Sequence, residues 1–171
     1  MRLKFRDVKE TRERLELVKK TALETSDEEW DMGVWAKEHP CKFVGCAIGN
    51  TIHQNPEIEL KLELTRTYED GRSDFDLIRY GNRNSFDAVS EWLGLSVRGH
   101  EIVTLLFDPI NYYVADISSD DNTEAWKDYL DSYGETYYLG VKGDTSLFKD
   151  LPTQANVAKR IQLFIDKNLK A

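Results

Sequence analysis

Residues 58–66, IELKLELTR, alternate apolar and polar side chains without a break from Ile58 to Thr65. On a helix Leu60, Leu62 and Leu64 would scatter around the axis. On a strand they share one face, with Glu59, Lys61, Glu63 and Thr65 on the other. Asp70-Gly71 follows as a turn signal, and FDLIRY at 75–80 returns. The pattern predicts a β-hairpin over 58–80, so the chain is not all-helical.

What flanks the hairpin is mostly helical in period. Residues 6–24 place Val8, Leu15, Val18 and Ala22 on one face under a basic and acidic cover. After the turn chemistry of GNRNS (81–85), Phe86, Val89, Trp92 and Leu93 recur at helical spacing, with Gly94 to close them. HEIVTLLF (100–107) reads as a short helix ending before Pro109. PTQANVAKRIQLFIDKNL closes the chain, with Thr153 as N-cap and Val157, Ile161, Phe164, Ile165 and Leu169 as its stripe. NYYVADI (111–117) and TYYLGV (136–141) are β-prone and bracket a helix-like NTEAWKDYLDSYG. These signals predict one α+β domain over 1–171. It is mostly helical with a small antiparallel sheet, and 116–150 form an acidic, aromatic-rich elaboration.

The 171 residues suffice for one domain with a substantial core. The net charge of −8 disfavours nucleic acid and anionic membrane as broad partners. No apolar run approaches the ~20 residues of a spanning helix, and the first twenty residues lack a signal's apolar core. A reducing cytoplasm is the expected setting, where a structural disulfide is not expected.

Two cysteines, Cys41 and Cys46, are the only two in the chain. A loop to Pro40 and a helix from about Phe43 to Gln54 are expected around them, ended by Asn55-Pro56. On that helix Val44, Ala47, Ile48 and Ile52 share one side, and Cys46, Asn50 and His53 the other. Four roles are open. A metal would need His39, Cys41, Cys46 and a fourth ligand such as His100 to converge, at a spacing unlike a C-x-x-C pair; no metal and no cofactor are expected. A short-ring disulfide would act as a redox sensor. A nucleophilic Cys46 in the first helical turn would need His53 or His100 as base. Packing is favoured, because Gly45, Cys46, Ala47 and Gly49 are small and cysteine is commonly a small hydrophobe.

Other candidates are weaker in pattern. DISSDDNTE (116–124) mimics a calcium loop but holds Asp121 and Lys127 where glycine and glutamate belong. Arg72, Arg79, Arg83 and Arg98 with Tyr80 form a basic, aromatic cluster that acidic neighbours can pair. Trp126, Tyr129, Tyr133 and Tyr137 fit an interface beside acidic residues. The expected function is that of a small acidic cytoplasmic interaction protein that uses those aromatics to bind another protein. The alternative is a thiol-dependent enzyme built on Cys46 with His53 or His100.

The order D-M-x-x-W (31–35), C-x-x-x-x-C-x-x-G (41–49), L-G-L (93–95), L-F (106–107) and P-T-x-x-x-V-A-x-R-I (152–161) resembles a loose group of uncharacterised bacterial and phage proteins. In that group a tryptophan segment precedes C-G-T-x-x-C-x-x-G, an L-G-L helix pair and a terminal V-A-x-R-I helix. Here Lys42-Phe43 replaces the Gly-Thr. The resemblance implies a bacterial or phage origin and a cytosolic setting, and it carries no activity.

Overall fold

A computed structural model describes residues 3–96, 98–107 and 152–170. The first helix, α1 (Val8–Glu24), starts where the Asp7 carboxylate accepts the Glu10 N–H at 3.0 Å. Its inner stripe is Thr11, Leu15, Val18, Thr21 and Ala22. Val8 stays 41% exposed, contrary to the expected stripe. Thr11 takes the inward place because its hydroxyl donates to the Leu93 carbonyl at 2.6 Å, joining α1 to the end of a distant helix.

A short 3-10 turn at Asp27–Glu29 leads into two strands, β1 (Ala36–His39) and β2 (Lys42–Gly45). They pair antiparallel, Ala36 opposite Gly45 and His39 opposite Lys42. A loop and the start of a helix were expected here. Instead the chain turns at Pro40-Cys41, and Phe43 and Val44, both good strand formers, run back along β1. Helix α2 therefore begins at Ala47 and runs to Gln54 (Ala47–Gln54).

The predicted hairpin is present, and it serves two sheets. Its inner arms, β3 (Lys61–Glu63) and β6 (Leu77–Tyr80), pair in a three-stranded sheet ordered β3-β6-β7, where β7 is Arg83–Asn84. Its outer arms, β4 (Arg66–Thr67) and β5 (Ser73–Phe75), join β1 and β2 in a four-stranded sheet ordered β2-β1-β5-β4. Glu63 faces Leu77 and Arg66 faces Asp74, so one register runs through both halves. At the junction the Thr65 N–H donates to the Asp74 carbonyl at 3.0 Å and the Thr65 hydroxyl to the Asp76 carboxylate at 2.9 Å. Leu60 is fully buried while Leu64, beyond the core, is 54% exposed. Gly71 turns the tip at φ +83°, a conformation that costs glycine little.

Helices α3 (Ser85–Trp92) and α4 (Gly99–Phe107) pack on each other and α3 lies across β6. Gly94 closes α3 at φ +73°, as its position suggested. The last described helix, α5 (Gln154–Asn168), packs along α1. The Thr153 hydroxyl caps it, accepting the Asn156 N–H at 3.2 Å. One hydrophobic cluster runs through Leu15, Ile48, Ile78, Trp92, Leu106 and Phe164, so it draws on α1, α2, β6, α3, α4 and α5. The architecture is α+β with antiparallel sheets. Arg160 is fully buried in it and donates to the Leu105 carbonyl at 2.9 Å, in the last turn of α4, where a helix favours a cation. Among the described residues no helix is long and apolar enough to cross a membrane.

The two caps give a modest, checkable effect. Asp7→Ala and Thr153→Ala should each lower stability by about 1 kcal/mol in urea denaturation. Losses near zero at both would mean that the helix ends fray in solution.

Candidate functional site

The cysteine segment folds into a clamp. Cys46 is the N-cap of α2, and its sulfur, a weak acceptor, receives the Gly49 N–H at 3.4 Å. The Cys46 N–H in turn faces the Val34 and Trp35 carbonyls at 3.1 and 3.3 Å. Gly49 is where the helix meets the strand entry. A Cβ there would lie 1.8 Å from the Trp35 carbonyl oxygen. Asn50, buried, donates from Nδ2 toward the carbonyls of Glu29 (3.0 Å), Gly45 (2.6 Å) and Cys46 (3.2 Å). Asp31 donates its N–H to Gly45 and its carboxylate accepts the Gly33 N–H at 2.8 Å. The Trp30 indole reaches the Pro152 carbonyl at 2.8 Å, tying this segment to the head of α5. Together these bonds fix the main chain of 30–35 on both sides.

That main chain presents Met32 and Trp35 to a pocket of about 290 Å³, open to solvent. Phe86 from α3 and Phe107 from the end of α4 supply further walls, Cys46 contributes its thiol, and Asp76 adds a carboxylate. Trp35 and Phe86 meet edge to face, centroids 5.0 Å apart at 60°. Behind Phe86 lies His100, its ring 5.8 Å away, edge to face, and its Nδ1 2.8 Å from the Asp87 carboxylate.

The expected catalytic residues are placed as follows. Cys46 is buried, and loss of hydration pushes its thiol up to about 11, an effect to which the Asp31 charge adds. Backbone N–H groups of the helix start pull the other way and are outweighed. His53 is exposed and stacks flat on Phe43, centroids 3.9 Å apart. His100 is exposed and held by Asp87. Among the described residues neither histidine hydrogen-bonds the thiol, which accepts the Gly49 N–H at 3.4 Å. Cys41 is exposed in the β1–β2 turn and both thiols are free. Among the described residues no group of three or more His, Cys, Asp or Glu side chains could hold a metal ion. Trp126, Tyr129, Tyr133 and Tyr137 lie outside the described residues, as does 116–124.

Of the basic cluster, Arg79, Tyr80 and Arg83 lie on the paired strands β6 and β7, with Tyr80 opposite Arg83, while Arg72 lies by the hairpin tip. Arg79 is engaged by Glu63, whose hydrogen bond holds the Glu63 carboxyl below its ordinary range. Arg72 stacks on Tyr68 at 4.0 Å from its centroid, and the Tyr68 hydroxyl donates to Asp74 at 2.9 Å.

Four residues of the pocket went unread in sequence terms: Met32, Asp76, Phe107 and Phe86 as a wall rather than core. Met32 has a local signal in D-M-x-x-W and Phe107 in L-F, and neither motif says that the residues meet. Comparison with protein-family models, curated proteins and solved structures finds no match to this chain. Functional statements therefore rest on its own residues.

Proposed function

We propose that the protein is a non-catalytic interaction protein, cytoplasmic and of bacterial or phage kind, that receives one side chain of a partner protein in the Trp35–Phe86 pocket. The observation that carries this is the pocket's build. Aromatic and thioether walls come from separate elements, and the clamp at Cys46, Gly49 and Asn50 holds the main chain that bears two of them. Aromatic and methionine side chains of this kind are enriched at protein interfaces. At about 290 Å³ the pocket lies at the lower end of ligand-site volumes, suited to one side chain rather than a nucleotide cofactor. The thiol-enzyme alternative has less support, since burial raises the Cys46 thiol and no described histidine hydrogen-bonds it.

The test is protein-observed NMR on the full chain with a set of capped amino acids and small fragments. Binding should shift the Trp35 indole and Phe86 resonances together. Trp35→Ala should remove those shifts while the spectrum stays folded. Shifts confined to other surfaces, or none at all, would sink the reading.

A further inference from the structure

The pocket's polarity is one-sided. Among the described residues Asp76 is its charged wall residue, and no described lysine or arginine lines it. Asp76 is exposed, accepts from the Thr65 hydroxyl, and has no ion-pair partner among the described residues. Neighbouring acids differ: Glu63 is paired with Arg79, Glu91 with Arg6 and Asp87 with His100. A second carboxylate, Asp31, is near enough to act on the Cys46 thiol in the pocket wall. His100, which meets Phe86 edge to face, has its Nδ1 engaged by the Asp87 carboxylate at 2.8 Å.

A carboxylate without an ion-pair partner among the described residues, in a pocket walled by Trp35 and Phe86, is complementary to a cation. An indole is the best of the aromatic faces for that purpose. The apolar remainder, Met32, Phe86 and Phe107, selects further. A primary ammonium keeps its water strongly, whereas a guanidinium or quaternary ammonium sheds it readily and offers flat or methyl surface. We infer that the pocket binds an organic cation with an apolar skirt, a guanidinium or a quaternary alkylammonium, with Trp35 as the π face and Asp76 as the counter-charge. This rests on the pocket being the binding site and names what enters it. The cation can come from an arginine of the partner or from a free alkylammonium compound.

Four probes separate these possibilities by titration of the full chain at low ionic strength, where screening is least. They form two pairs of near-isosteres: N-acetyl-arginine methylamide with its citrulline counterpart, and choline with 3,3-dimethylbutan-1-ol. In at least one pair the cation should bind roughly fivefold or more tightly than its neutral twin. Preference in the arginine pair identifies a partner's side chain as the source; preference in the choline pair identifies a free amine. Asp76→Asn should abolish the preference, and Asp76→Glu should restore it. Neutral twins that bind equally well would overturn the inference while leaving the pocket as an apolar socket. Failure of all four probes, where other fragments still shift Trp35, would overturn it too. Absence of any fragment binding at Trp35 would instead remove the reading beneath it.

Discussion

Gly49→Ala should destabilise the protein by roughly 3 kcal/mol or more. The sign alone is informative. At an ordinary helix position the same change adds up to about 1 kcal/mol of stability, because alanine loses less backbone freedom than glycine. Here the new Cβ would stand 1.8 Å from the Trp35 carbonyl oxygen and 2.9 Å from its carbon, both backbone atoms. That carbonyl has little room to retreat. It faces the Cys46 N–H, and the strand beginning at Ala36 is paired on both edges, with Gly45 and with Phe75. Either α2 shifts away from the strand, opening the core at Ile48 and Ile52, or Trp35 moves and takes a pocket wall with it. Urea denaturation measures the first outcome and fragment-induced shifts at Trp35 measure the second. For a chain of this length the loss corresponds to a fall of about 6–12 °C in Tm. Gly33→Ala is the control, since its Cβ would meet a movable atom, the Asp31 carboxylate oxygen at 3.1 Å. A Gly49→Ala protein as stable as the parent would show that the close approach of α2 to Trp35 does not hold in solution.

The parts of the fold that were legible in the sequence are those whose burial is written in local period. Leu15, Val18 and Ala22 in α1, and Val157, Ile161, Phe164 and Ile165 in α5, are buried in the expected register. The alternation from Ile58 and the turn at Asp70-Gly71 announced the long hairpin. The β1–β2 pair was not legible. Only Ala36 of AKEH is buried, so this central strand is held by hydrogen bonds to both neighbours and has no hydrophobic stripe of its own. Phe43 and Val44 also continue the helical period of α2, and period cannot say where that helix starts. Its cap is a thiol, outside the usual Ser, Thr, Asp and Asn set. The pocket was hidden for another reason. Met32, Asp76, Phe86 and Phe107 come from four distant segments, and tertiary folding alone brings them together.

The thiol of Cys46 should be slow. In the Cys41→Ser variant Cys46 is the one remaining thiol, and its alkylation by iodoacetamide at pH 8 can be followed by intact mass. The expected rate in the folded chain is roughly a hundredfold below that of the same chain unfolded in urea. Both routes to reaction are slow. In the closed chain burial holds the thiol near 11, so little thiolate exists at pH 8, and by the other route the reagent must wait for the segment to open. A nucleophile activated by His53 or His100 requires the opposite, a folded thiol faster than a free one. The same shift predicts a pH dependence of stability. The unfolded thiol loses its proton near the ordinary value of 9.0, while the folded one keeps it to about 11. Its contribution is therefore complete below about pH 9 and is lost as pH rises through about 11, on the order of 3 kcal/mol in all. Cys46→Ser keeps an N-cap oxygen and has no such ionisation, so its stability should fall less steeply across that window. Fast alkylation of the folded Cys41→Ser chain, with parallel pH profiles for Cys46→Ser and its parent, would return Cys46 to the list of reactive groups. A slow thiol with divergent profiles makes it what its surroundings describe, a buried cap that fixes Trp35 at the wall of the pocket.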